Sequence, residues 1–157
     1  MDLLFALEDS GAGMLVSSTQ WGYAIVLSLH AVGMAIMVGI SLMLIFRVLG
    51  FARSIPLGAL PPYWTVALLG FAVNIASGTM LFMGSASELF FNWAFRIKIV
   101  LVLIGVGLTG RLVRRCLKRA ARTGDDVATR GDRRLAAVAL VVWISALIAG
   151  RLIGYLN

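Results

Sequence analysis

One histidine, one cysteine and three prolines are spread over 157 residues, and each scarcity removes a class of function. The single cysteine, Cys116, can close no internal disulfide and offers no CxxC metal spacing, so it reads as a free thiol in a basic stretch. With His30 the only histidine, one copy of the chain cannot supply a bis-histidine haem or a multi-histidine metal centre. Acid is scarce as well, at seven Asp and Glu against 14 Lys and Arg. No carboxylate falls inside a long apolar run. That counts against a proton-coupled carrier, whose relay runs through membrane-embedded acids. No repeat, low-complexity segment or separate polar domain interrupts the chain.

Apolar residues make up 61% of the sequence, where a soluble domain is nearer half, and the mean hydropathy is +0.96. The excess is gathered into four runs of the ~20 residues that cross ~30 Å of hydrocarbon as helix. The expected fold is all-α: an integral-membrane four-helix up-down-up-down bundle in one transmembrane domain, 1–157. Its spans are expected near 20–49, 63–83, 90–111 and 134–155. Trp21, Tyr23, Tyr63, Trp64 and Trp93 mark the rims as aromatic anchors. The opening stretch, 2–17, is acidic where a cleavable signal is basic. Leu3, Leu4 and Leu7 give it one apolar face, so it is predicted to form a short N-terminal interfacial helix. Ser17, Ser18 and Thr19 offer an N-cap for the first span. Pro56, Pro61 and Pro62 break the chain into a loop, and a short link from Gly84 to Asn92 holds Glu88. Arg111, Arg114, Arg115, Lys118, Arg119 and Arg122 recur at helical spacing, so the third span should project past the membrane toward a turn at Gly124, Asp125 and Asp126.

The net charge of +7 does not indicate nucleic acid, because no soluble basic face with base-reading groups accompanies it. Eleven of the 14 basic residues lie between spans one and two or three and four. That asymmetry predicts a multi-pass protein of a bacterial inner (cytoplasmic) membrane with both termini periplasmic. The bilayer is then the first partner, and a homo-oligomer or a membrane-complex subunit the second. Helices in lipid associate through small residues. The expected packing stripes are Ala31, Ala35 and Gly39; Gly70, Asn74 and Gly78; Gly105, Gly107 and Gly110; and Gly150 and Gly154.

Five polar side chains fall inside the spans: His30, Asn74, Arg96, Lys98 and Arg151. Counted at ~1.5 Å per residue, all sit in the half of the bilayer that holds the termini. Arg96 and Lys98 point to nearly opposite sides of one helix. Arg96 is shallow enough to reach head groups or Glu88, which leaves Lys98 for the interior. Asn74 suits an interhelical hydrogen bond, and Arg151 an anchor or a pocket group. Tyr23, His30, Met34 and Met37 follow helical spacing on one face. Histidine with methionine is a soft-donor set for Cu(I), or for haem iron with axial His and Met; methionine is also ordinary packing material.

Four stretches carry a resemblance: LHAVGMAIMVG with FRVLG, ending at Gly50; YWTVALLGFAVNIASGTMLF, from Tyr63 to Phe82; NWAFRIKIVL, from Asn92 to Leu101; and VWISALIAGRLIGY, from Val142 to Tyr155. Together they resemble a family of small four-helix bacterial inner-membrane proteins. That family is distantly similar to copper-resistance-D-like membrane proteins and to the non-flavin membrane protoporphyrinogen oxidases. The oxidase likeness implies a haem b held near His30 and Lys98; the copper likeness implies copper handling near the periplasmic face. Family members commonly carry an acid two residues before the arginine that ends span one. Here Ile45 stands in that place with Arg47 kept, so that end of the bundle is expected to pack differently.

The candidate cofactor-binding residues are therefore His30, Lys98, Met34 and Met37, with His30 as metal ligand and Asn74 and Arg151 as polar pocket groups. No catalytic residue is assigned. The sequence supports a redox- or metal-associated membrane protein with a polar pocket in the outer leaflet. Its alternative is a non-catalytic membrane anchor or assembly subunit of a larger complex.

Overall fold

A backbone surrounded by hydrocarbon must satisfy its own N–H and C=O groups, and an uninterrupted apolar run does so as helix. A computed structural model describes residues 2–155, with the side chains of Asp2, Leu3 and Gln20 outside the described set. The part of the N-terminal apolar face assigned to Leu3 therefore lies outside the described residues. The chain is helical almost throughout: α1 (Asp2–Glu8), α2 (Gly11–Ser17), α3 (Gln20–Leu49), α4 (Pro61–Gly84), α5 (Ala86–Phe91), α6 (Trp93–Leu112), α7 (Lys118–Thr123) and α8 (Arg130–Leu152). No strand occurs among the described residues. Four segments are long and apolar enough to cross a membrane: Trp21–Leu49, Pro61–Gly84, Trp93–Thr123 and Arg130–Tyr155. The chain is accordingly described as a multi-pass membrane protein.

Local chemistry sets most boundaries. Prolines open α4, where a missing N–H costs nothing. Gly50, at φ 111°, closes α3, and Gly124, at φ 70°, closes α7; both conformations favour glycine. The Asn92 side chain accepts from Phe95 N–H to start α6. Thr129 and Asp132 form a reciprocal capping box at the start of α8. Thr19 stands at the N-cap of α3 without a side-chain cap bond.

The contacts run antiparallel in three pairs. His30 meets Gly78 and Gly33 meets Gly70 between α3 and α4. Gly105 meets Trp143 and Lys98 meets Gly150 between α6 and α8. Phe82 stacks on Phe95 between α4 and α6, with ring centroids 5.7 Å apart. The buried core gathers at the end of the bundle that carries the basic residues, around Leu44, Ile45, Leu57, Leu112, Cys116 and Leu117. Trp143 is fully buried and donates from Nε1 to Thr109 Oγ1 at 3.0 Å.

Three expectations are corrected here. The stripe of Ala31, Ala35 and Gly39 is exposed, and a side chain on Gly39 would meet nothing; Gly33 makes the close approach instead. The N-terminal segment is two short helices rather than one, divided at Ser10, whose hydroxyl accepts from Gly13 N–H. The link after α4 is itself helical, as α5.

Acidic residues tie the elements together at each end of the bundle. At the basic end, Arg47 is 7% exposed, and its Nη2 lies 2.6 Å from Asp126 Oδ2. Its Nε donates to the Ile55 carbonyl, while Asp126 Oδ1 accepts from Leu57 N–H. Arg47 thus takes its acidic partner from the loop before α8. At the other end, Glu8 Oε1 accepts from Ser87 N–H at 2.8 Å and from Ser87 Oγ at 2.7 Å, tying α1 to α5. The Ser87 N–H, then its hydroxyl, hold the Glu8 carboxyl below its ordinary value of 4.5.

Two measurements follow. Asp126→Ala strands a buried guanidinium and should lower stability in a detergent unfolding titration by about 3 kcal/mol, whereas Asp125→Ala, at an exposed position, should cost under about 1 kcal/mol. A carboxyl with a lowered folded pKa stabilises above its unfolded value and loses that contribution on acidification. Docking of α1 on α5 should therefore persist above about pH 4.5 and loosen as pH falls through the lower folded value. Amide hydrogen exchange in α1 reports it, and Glu8→Gln should remove the pH dependence.

Candidate functional site

The polar groups inside the spans are organised by glycines. A Cβ on Gly33 would come within 2.8 Å of both Asn74 N and Gly70 O, so α3 and α4 touch backbone to backbone there. One turn of α3 earlier, the His30 ring lies over Gly78, where a Cβ would stand 3.0 Å from Cε1 and 3.2 Å from Nδ1. His30 Nδ1 is 3.1 Å from the Asn74 carbonyl oxygen, and Asn74 Nδ2 donates to the His30 carbonyl at 3.0 Å. The two residues clamp α3 to α4 reciprocally.

The clamp also fixes the tautomer. A carbonyl oxygen only accepts, so the proton sits on His30 Nδ1 and the Nε2 lone pair is left open. Ser77 Oγ lies 3.3 Å from Nδ1 but spends its own proton on the Val73 carbonyl at 2.6 Å. The nearest polar approach to Nε2 is Asn74 Nδ2 at 3.4 Å, too long for a strong bond.

Lys98 belongs to a neighbouring space. Its stem crosses Gly150 of α8, where a Cβ would lie 3.4 Å from Cδ and Cε. A cavity of about 20 Å³ in the middle of the bundle is lined by Lys98, Asn74, Met34, Met37 and Trp143, among others. Among the described residues Lys98 Nζ has no hydrogen bond or ion pair, and Asn74 Oδ1 has no hydrogen bond. Two of the residues that line the void thus each keep a polar atom without a protein partner, and its volume suits a single water or a single ion.

The sequence-derived set is therefore split. Lys98, Met34, Met37 and Asn74 come together at the cavity; His30 does not line it and reaches it through Asn74. Arg151 is exposed, with its guanidinium 5.6 Å from the Tyr155 ring centroid and Nη2 3.5 Å from Tyr155 Oη. Arg96 faces neither the cavity nor Glu88: it donates to the Phe90 carbonyl at 2.9 Å and lies over the Phe90 ring. Trp143 is the lining residue that sequence reasoning passed over. Its signal was Gly105 opposite a large aromatic, a Cβ there standing 2.9 Å from the indole.

The arrangement bears on the groups the resemblance implied. A haem, which spans many times the volume of one water, does not fit the closed packing around a void of about 20 Å³. A lone ion does fit by volume, and the soft donors that line the void are the thioethers of Met34 and Met37, with His30 outside it. Among the described residues no three His, Cys, Asp or Glu side chains converge on a metal position. No family model, curated protein or solved structure matches the chain.

Removing the clamp should be costly without unfolding the bundle. Asn74→Ala should destabilise by about 1–2 kcal/mol, the upper range for an interhelical hydrogen bond in a membrane. Gly78→Ala, which pushes on the imidazole, should cost a similar amount. Both are read by unfolding in mixed detergent micelles, with Gly39→Ala, at an open position, as the neutral comparison.

Proposed function

We propose that this multi-pass membrane protein holds a small guest at the centre of its bundle, with Lys98 as the anchoring group. The carrying observation is Lys98 Nζ itself, which lacks any acceptor among the described residues while lining a void inside a membrane-length bundle. An amine in that setting is expensive and by default marks a site, and bundle cores are where such proteins build ligand and metal sites. Lys98 would bind the guest through an acidic or electron-rich atom. Asn74 would present Oδ1, and the His30 clamp would fix how Asn74 points. The basic residues gathered at one end support a bacterial inner membrane with both termini periplasmic, which puts the guest in the outer half of the bilayer.

A second reading, a redox- or metal-associated protein, is favoured by one feature. The Asn74 carbonyl fixes His30 through Nδ1, as second-shell groups orient metal-binding imidazoles, and it leaves Nε2 with its lone pair. The fitting ion is Cu(I), held in the void by the Met34 and Met37 thioethers, and His30 would join them only with Asn74 moved aside.

Native mass spectrometry of gently extracted protein tests the first reading. The expected spectrum shows a species heavier than the 16.9 kDa chain, and the excess mass should be absent from Lys98→Met. Bare chain mass in the wild type, together with a stability gain in Lys98→Met, would mean that the lysine is only a burden. Copper measured by elemental analysis and lost in His30→Ala would favour the metal reading. A guest-free protein that co-purifies with a second polypeptide whatever stands at position 98 would make it an anchor or assembly subunit.

A further inference from the structure

A larger space lies at the basic end, outside the site described above. Between α4 and the end of α6 runs a crevice of about 420 Å³, bordered by Trp64, Leu68, Gly107, Gly110, Arg114 and Lys118. At about 30 Å³ for each water-sized group, it has room for on the order of a dozen methylenes. Its lining is segregated by chemistry. Gly107, Gly110, Arg114 and Lys118 follow one another at helical spacing, so one stripe changes from bare backbone to two cations. A Cβ on Gly107 would meet nothing within 4 Å, and one on Gly110 would reach Trp64 at 3.3 Å. The missing side chains are what keep the crevice open. The chain turns through one wide π turn at Val113–Leu117, which keeps Arg114 and Lys118 on the same side.

Both cations are exposed, and among the described residues neither makes an ion pair. The acids nearby are already engaged, Asp126 with Arg47 and Asp132 with Arg119. Depth identifies the complementary charge. Arg114 lies roughly 20 residues beyond Trp93, so it stands about 30 Å along the helix from that rim aromatic, the thickness of the hydrocarbon core. When Trp93 marks one head-group plane, Arg114 and Lys118 mark the other. A lateral apolar slot under two unpaired cations at that plane matches one kind of molecule, with an acyl chain for the slot and a phosphate for the cations.

We propose that this crevice is a binding site for one anionic phospholipid, its phosphate held between Arg114 and Lys118 and an acyl chain lying along Gly107 and Gly110 against Trp64. The site is independent of the Lys98 cavity and of whatever that cavity holds.

Trp64 makes the site observable. In phosphatidylcholine nanodiscs doped with a few per cent of brominated lipid, quenching of Trp64 is the wild-type signal minus that of Trp64→Phe. Brominated phosphatidylglycerol should quench Trp64 at least about tenfold more effectively per mole than brominated phosphatidylcholine. Losing one cation should weaken that preference about fivefold, and Arg114→Gln with Lys118→Gln should abolish it. Arg115→Gln, whose side chain does not border the crevice, should leave it intact. Gly107→Leu should abolish it with every charge retained, since the new side chain fills the slot. Inorganic phosphate at constant ionic strength should not compete.

Equal quenching by the two lipids would overturn the proposal. So would a preference that survives Gly107→Leu, which would reduce the cations to a diffuse surface patch. An equal loss in Arg115→Gln, or competition by free phosphate, would overturn it too. A wild-type dimer cross-linked across this face and broken by Gly107→Leu would assign the crevice to a second copy of the chain. Helical content by circular dichroism and a single gel-filtration peak confirm that each variant is folded, and the single-cation variants decide the question should the double variant fail to fold.

Discussion

The contact on which the bundle depends is the backbone approach of α3 to α4 at Gly33 and Gly70. Lipid tails are as apolar as leucine, so helices in a membrane gain little by hiding leucines from them and must instead fit closely. At that crossing a methyl group on either glycine would clash, with Asn74 N and Gly70 O on one side and with Ile36 on the other. Because the axes are that near, the Asn74 amide can reach a main-chain carbonyl on α3, and the His30 ring can bring its Nδ1–Cε1 edge against Gly78. Neither bond would span a crossing propped apart by larger side chains. The polar seam is thus a product of the glycine contact, and it supplies directionality that van der Waals packing lacks.

The rest of the molecule divides by the kind of cohesion available. Toward the basic end the interior is dense with leucine, valine and alanine, and loops meet there through Arg47 and Asp126. Toward the other end the helices are overlaid by α1, α2 and α5, with Val16 against Gly84 and Glu8 on Ser87. The Lys98 cavity lies between these regions. Packing is looser between them, where Lys98 lines its small void.

Much of this was legible in composition alone. Four apolar runs of membrane length define four helices almost irrespective of detail, because hydrocarbon permits little else, and the prolines announced the loop between α3 and α4. The inward turn of Lys98 followed from its being two residues from Arg96. What could not be read was which small residues face a neighbour. Ala31, Ala35 and Gly39 have the right spacing yet look outward, while Gly33, outside that stripe, carries the contact. Spacing fixes a face relative to its own helix but not the rotation of that helix against another. The pairing of Arg47 with Asp126 was hidden for a related reason: it joins the last turn of α3 to a loop 79 residues further on, and no local pattern encodes it. The separation of His30 from the cavity, with Asn74 between them, likewise depends on the α3–α4 crossing rather than on either helix alone.

The wide turn at Val113–Leu117 has a consequence for how length changes are tolerated. There Lys118 N–H reaches back five residues to the Val113 carbonyl instead of four, so the helix accommodates one residue more than regular winding would. Such a turn absorbs that residue. What lies beyond it, including the seating of Ala120 and Ala121 on the Leu57–Ala59 turn, keeps the phase of the helix before it. Excising one residue there would let the winding become regular while the distal stretch kept nearly the same facing, because the five residues of the wide turn sweep about the angle that four sweep in regular winding; excising one elsewhere in α6 would rotate that stretch by about 100°, swinging apolar Ala120 outward and arginines in. Docking would survive the first edit and not the second, so this turn is the one place where α6 and α7 can shed a residue without losing their partner, although nothing in the hydropathy of the segment marks it.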